Sequence, residues 1–241
     1  MIYFAATHTG RRKNNEDSMF APNGPDGFFA VVADGMGGHN AGEVASRIVV
    51  DTIVDALNGA DLPERVTAKD IENMLIAANT AVYDNAKKNR ERLGMGSTAT
   101  VAVFKRDSMI VGQVGDSRAY LLSNGQLSQI TKDHSYVQLL IDKGYITQEE
   151  AQYHPQKNII TRALGTEEAV QVDTITVPLG DGDTVLLCTD GLNGVVPDNS
   201  IADILRAGIN TAADSLVEAA LASGGRDNIT VIIAQKGGDC V

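Results

Sequence analysis

Phe28-Phe29-Ala30-Val31-Val32-Ala33, stopped by Asp34-Gly35, is the stretch that decides how this chain is read. A short unbroken apolar run closed by a turn-forming pair has the pattern of a buried strand. Beyond it the period changes. Val44, Ile48, Val49, Ile53, Ala56 and Leu57 recur at helical spacing, and Ile71, Leu75, Ala78 and Val82 repeat that pattern. Short apolar runs then return at Thr98 to Phe104, Met109 to Val114 and Arg118 to Leu122. Asn124-Gly125, set between Tyr120-Leu121-Leu122 and Leu127-Ser128-Gln129-Ile130, is a strong hairpin turn.

Outward from this centre, Ile2 to Thr7 reads as a first strand, Val170 to Val177 and Thr184 to Cys188 as later ones, and Ile229 to Ala234 as the last. Ala212, Leu216, Val217, Ala220 and Leu221 mark a helix before that final strand. The segment from His134 to Gly165 is mixed, with a short helix near Val137 to Lys143 and then polar residues and Pro155. Strands that follow one another without regular helical crossovers exclude a doubly wound parallel sheet. They predict an antiparallel sandwich flanked by helices, in the α+β class. The expected organisation is one domain over residues 1–241, with a surface subdomain at about 134–168.

The formal net charge of -11 argues against nucleic acid or an anionic membrane as the main partner. Cys188 lies in the apolar run Val185-Leu186-Leu187-Cys188 and Cys240 is next to the end, so no disulfide framework or thiolate zinc site is expected. There is no leader-like apolar stretch after a basic start and no run of about 18 apolar residues. The expectation is a soluble cytoplasmic protein.

Acids gather at the strand ends: Asp34-Gly35, Asp116-Ser117, Asp190-Gly191 and Asp227-Asn228, with Asn15-Glu16-Asp17 near the start. Asp-Gly pairs commonly do no more than turn the chain. Several of them brought to one end of a sheet would repel one another unless a cation sits between them. The available ligands are Asp and Glu oxygens with backbone carbonyls, without a Cys or His cluster or an EF-hand spacing. That set suits Mg²⁺ or Mn²⁺ rather than Zn²⁺. Two such ions can activate a water against phosphorus. Arg12 could grip the phosphate through its guanidinium, or be an ordinary exposed arginine. Gly35, Gly37 and Gly38 let the backbone approach a ligand, or simply turn it into the next helix. His39 could pass a proton to a leaving alkoxide, or be structural.

Taken in order, these stretches resemble one family, the metal-dependent serine/threonine protein phosphatases of type 2C in their compact bacterial form. The resemblance rests on Arg12-Lys13-Asn14-Asn15-Glu16-Asp17, Val32-Ala33-Asp34-Gly35-Met36-Gly37-Gly38-His39, Gly42-Glu43-Val44-Ala45-Ser46 and Met95-Gly96-Ser97-Thr98. It continues through Val114-Gly115-Asp116-Ser117-Arg118, Gln129-Ile130-Thr131-Lys132-Asp133-His134 and Ile160-Thr161-Arg162-Ala163-Leu164-Gly165. Cys188-Thr189-Asp190-Gly191-Leu192 and Gly225-Arg226-Asp227-Asn228-Ile229-Thr230 complete a series from residue 2 to 235.

The resemblance implies an α-β-β-α sandwich with two Mn²⁺ or Mg²⁺ ions in a cleft at one end of the sheets. It implies hydrolysis of phosphoserine and phosphothreonine in proteins, opposing cytoplasmic kinases in signalling, by a monomer. Asp34 would bridge both ions, Gly35 would add a carbonyl, and Asp190 and Asp227 would complete the first site. Glu16 and Asp17 would act through water, Arg12 would hold the substrate phosphate, and Asp116 would share a weaker third ion with Asp190. Residues 134–168 would be the flap. Met36 stands where animal relatives carry a histidine, so the proton donor is either His39 or a metal-bound water. Two rivals are a two-metal nuclease or phosphodiesterase, disfavoured by the charge, and an inactive binding module, which should lack some of Asp34, Asp190 and Asp227.

Overall fold

A computed structural model describes residues 1–24, 27–37, 41–59 and 63–237. Strands β1 (Ile2–His8), β2 (Asp17–Phe20) and β3 (Phe29–Met36) lead into helices α1 (Ala41–Asn58) and α2 (Ala68–Lys88). Strands β4 (Gly96–Ser97), β5 (Ala99–Phe104), β6 (Ser108–Val114), β7 (Arg118–Ser123) and β8 (Gln126–Gln129) follow, then α3 (Tyr136–Asp142) and α4 (Gln148–Gln152). The chain continues through β9 (Asp173–Pro178), β10 (Thr184–Cys188), α5 (Asp190–Asn193), α6 (Asp198–Ala207), α7 (Ala212–Ala222) and β11 (Ile229–Gln235).

The strands form two sheets, in the orders β1-β11-β10-β7-β8 and β2-β3-β5-β6-β9, with β4 on β3. Neighbouring strands run antiparallel. β3 shows why its sequence is apolar throughout. Ala30 and Val32 pack between the sheets, with Ala102, Met109, Val185 and Ile232. Val31 and Ala33 point the other way, into the layer formed with Val49 and Ile53 of α1 and Ile71 and Leu75 of α2. A strand covered on both faces has no polar side to show. The other sheet is covered in the same manner: Leu186 and Ile233 meet Ile201 and Leu205 of α6 and Leu216 of α7. The layers are therefore α-β-β-α, as expected.

Local chemistry sets the boundaries. Thr67 caps α2 through a reciprocal pair with Asp70, which satisfies two of the free amides of the first turn. Asn124 and Gly125, at φ 51° and 77°, make the tight turn of the β7–β8 hairpin. Buried side chains such as Ile53 and Leu75 each contribute roughly 1.5–3 kcal/mol by leaving water.

Several elements differ from the sequence reading. β2 is short, with only Met19 and Phe20 apolar, and is held by its pairing with β3. The helices α5 and α6 were not expected; α6 buries only Ile201, Ala202 and Leu205, too brief a stripe to stand out. β9 begins at Asp173 rather than Val170. Between β8 and β9, α3 has no fully buried residue, and α4 has only Ala151. This segment is tied down by the bridges Ser135↔Ile160 and Ser97↔Leu164.

Candidate active site

Antiparallel pairing gathers the acids. β2 and β3 place Asp17 directly opposite Asp34. Asp190 opens α5 just after β10, and Asp116 follows β6. Asp227 is a correction: it precedes β11 rather than ending a strand. Because β11 runs antiparallel to β10, its start lies beside the end of β10, and Asp227 joins the cluster from there.

The carboxylates feel one another strongly. Asp34 is driven well above the usual carboxylate range, first by burial and then by the charges of Asp190, Asp17, Asp116 and Asp227. Asp17 is pushed up to about 7 and Asp190 to about 6, each chiefly by burial. Asp116 is pushed up to about 8 by burial, then by Asp190 and Asp133. Glu16 is also raised, with burial again the largest cause. Against burial, the charges of Arg12 and Lys157 draw Asp190 back toward its ionised form.

A frame of small polar groups holds these acids in place. Thr189 and Thr230 donate from their hydroxyls to Asp17 Oδ2 at 2.8 and 2.7 Å. The Asp34 amide donates to Thr98 Oγ1 at 2.9 Å, and Ser97 Oγ donates to the Asp34 carbonyl at 3.0 Å. Asn228 accepts from the Glu16 amide at 2.8 Å and donates to the carbonyls of Thr9 and Asn14. It thereby stitches the loop carrying Arg12 and Glu16 to the start of β11. Gly35 donates to the Glu16 carbonyl at 3.1 Å, and a Cβ on Gly35 would run into the Gly42 carbonyl. Gly42 in turn leaves no room for a Cβ beside the Glu16 carboxylate.

Arg12 lies at the edge of this cluster. Its Nη2 meets Asp227 Oδ2 at 2.7 Å and its Nε donates to the Arg226 carbonyl at 3.3 Å, while most of the side chain stays exposed. His39 lies outside the described residues. From Asp116 and Asp190 a cavity of about 610 Å³ extends between α3 and α4 on one side and the segment around Val195 on the other.

Two oxygens test whether a cation fits. Asp17 Oδ1 and Asp190 Oδ1 are sealed from solvent and have no hydrogen-bond partner among the described residues. A buried carboxylate oxygen in that position demands a proton or a cation. Among the described residues no three acidic, His or Cys side chains are already folded around a single point. Mg²⁺ and Mn²⁺ keep several waters and need only one or two carboxylates each, so the oxygen-only donor set fits them. Cys188 is buried within β10 and offers no thiolate to the cluster.

The family profile described as Protein phosphatase 2C matches residues 5–223. The chain belongs to the protein phosphatase 2C family. The serine/threonine phosphatase stp of Listeria monocytogenes is 40% identical over 238 residues, covering 95% of this chain and 94% of that protein. The crystal structure of serine/threonine phosphatase Stp1 from Staphylococcus aureus superposes with a TM-score of 0.91 at 38% identity, covering 98% of this chain and 95% of that one. The catalytic domain of the serine/threonine protein phosphatase PstP, solved in complex with two manganese ions, gives a TM-score of 0.89 at 37% identity, with 98% of each chain covered.

Within this phosphatase 2C frame, the sequence reading missed the residues that support the acids. Thr98, Thr189, Thr230 and Asn228 all lie inside the motifs it quoted, Thr189 and Asn228 directly beside an acid. Their side-chain oxygens at sheet ends were the available signal.

Proposed function

We infer that this chain removes phosphate from phosphoserine and phosphothreonine in proteins, using two Mn²⁺ or Mg²⁺ ions. The observation that carries this reading is the pair of sealed oxygens Asp17 Oδ1 and Asp190 Oδ1, without a hydrogen-bond partner among the described residues and set among mutually repelling carboxylates. When bound, the two cations supply an acidified water and neutralise charge on phosphorus. Asp34, Gly35, Asp190 and Asp227 hold them, Glu16 and Asp17 act through water, and Asp116 with Asp190 holds a weaker third. Arg12 exchanges its exposed contact with Asp227 for two oxygens of the substrate phosphate.

In the reaction the water oxygen bonds to phosphorus, the bond to the serine or threonine oxygen breaks, and that oxygen takes a proton. Either His39 or a water acidified by the cations is proposed to deliver it. The net charge of -11 supports phosphoproteins rather than nucleic acid or anionic membrane as partners. A cytoplasmic monomer opposing protein kinases, with one domain over residues 1–241 and a flap at about 134–168, completes the reading. No described helix is long and apolar enough to cross a membrane.

The test is hydrolysis of a phosphoserine peptide with Mn²⁺ and with a chelator. Release of phosphate only with the cation is expected. Equal rates in both, or cleavage of phosphodiesters instead, would overturn the reading.

A further inference from the structure

The cavity that opens on Asp116 and Asp190 is too large for a phosphate alone. It extends to Tyr153 and Lys157 on the flap side and to Val195 on the other, about 610 Å³ in all. Val137, Ile141 and Val196 add apolar wall. Of the nine large hydrophobic side chains exposed among the described residues, six fall in 136–159 or at Val195. Tyr153, 86% exposed, is the extreme case. Of these six, Tyr153 and Val195 line the cavity itself, and apolar side chains left open beside a reactive centre suit the chain that carries the reacting group.

The charges lining this groove are unevenly committed. Arg118 and Asp133 neutralise each other through a two-pronged contact of 2.7–3.1 Å that is mostly buried. Asp198 accepts from the Tyr120 hydroxyl at 3.1 Å. Lys157 makes no ion pair among the described residues. Its Nζ donates only weakly, at 3.4 Å, to the Gly194 carbonyl. That contact also places it at the far end of α5 from Asp190. The Gly194 amide donates to the Asp190 carbonyl at 2.8 Å, so Gly194 closes the single turn of α5 that Asp190 opens. At about 1.5 Å rise per residue, Gly194 lies about 6 Å of helix rise beyond Asp190, and the Lys157 ammonium contacts that far end of the turn. An extended peptide advances about 3.3 Å per residue.

We propose that this groove seats the substrate polypeptide beside its phosphorylated residue, and that Lys157 selects an acidic side chain two or three positions from it. The proposal rests on the phosphatase reading above and names the class of phosphoprotein it prefers.

Phosphopeptides that differ only in carrying Glu or Lys two or three residues from the phosphoserine, on either side, test it. Rates are measured on the Mn²⁺-loaded protein, with p-nitrophenyl phosphate as a substrate that has no flanking chain. The unmodified protein should favour the Glu peptide in kcat/KM by about threefold or more at one of these positions, as expected for a partly exposed charge pair. That preference should shrink as salt rises. Lys157→Glu should invert the ratio, and Lys157→Gln should bring it near one. Because the readout is a ratio, a general loss of activity does not mimic it. A ratio unchanged within twofold in both variants, on a protein that still hydrolyses the peptides, overturns this proposal alone. Failure to hydrolyse any phosphomonoester overturns the phosphatase reading beneath it.

Discussion

Asp17 and Asp34 face each other across the antiparallel pair β2–β3, two carboxylates on one register position. Like charges directly opposite in a sheet oppose folding. Here Asp17 is offset in part by the hydroxyls of Thr189 and Thr230, while its other oxygen has no partner among the described residues. The fold thus holds a charged arrangement that only protons or cations relieve.

Stability should therefore depend on pH in an unusual direction. Asp190, Asp17 and Asp116 have folded values pushed up to about 6, 7 and 8, against about 3.9 in an unfolded chain. The folded state binds more protons, so this contribution is fully present below about pH 4 and is lost as pH rises through 6 to 8. In chelator, Tm should fall between pH 5 and pH 8, and the stabilisation by Mn²⁺ should grow over the same interval. Asp17→Asn should flatten the slope. Thermal unfolding in chelator that is as stable at pH 8 as at pH 5 would show that the acids do not repel as described.

The sheets were legible because both faces of β3 are covered, so Phe29 to Ala33 could not be mistaken for a surface segment. The acids were legible because each stands beside a glycine or a turn residue. β2 was not, since Asp17-Ser18-Met19-Phe20 becomes a strand only when β3 supplies its partner. Nor was the support of Asp17 visible: Thr189 and Thr230 lie far from it in sequence and reach it only after β10 and β11 pair.

Asp34→Ala, Asp190→Ala and Asp227→Ala should each lower phosphopeptide turnover by at least about 100-fold, because even outer partners of a metal ligand cost 10–100-fold. Their circular dichroism should stay native, and Asp34→Ala should be no less stable than the parent in chelator, since it removes a repelling charge. Asp116→Ala should differ, retaining two tightly bound ions in calorimetric Mn²⁺ titration while losing turnover. Near-parental rates for any of the first three at moderate Mn²⁺ would remove it from the site.

For Arg12, the exposed contact with Asp227 predicts a binding role rather than a structural one. Arg12→Ala should mainly raise KM for phosphopeptides, and Arg12→Lys should recover little, because an ammonium cannot hold two phosphate oxygens in one plane. Parental KM in the Lys variant would exclude the two-pronged grip.

Thr230→Val keeps the shape of the side chain and removes one of the two hydroxyls on Asp17 Oδ2. The carboxylate would then lose a charge-assisted bond in a buried place, which costs roughly 1–3 kcal/mol when the group is ionised. Protonated Asp17 needs the bond less, so the loss of stability should be large at pH 8 and small at pH 5. Affinity for Mn²⁺ should fall about 10–100-fold, the usual effect of disturbing a residue that orients a ligand. Thr189→Val should act in the same direction, since each hydroxyl has one further bond to lose: Thr189 Oγ1 accepts from the Thr230 amide at 3.0 Å, and Thr230 Oγ1 pairs with the Thr7 hydroxyl at 2.8 Å. Thermal unfolding at both pH values, paired with Mn²⁺ titration, decides the matter. A Thr230→Val protein with equal losses at both pH values and parental Mn²⁺ affinity would reduce this threonine to ordinary packing.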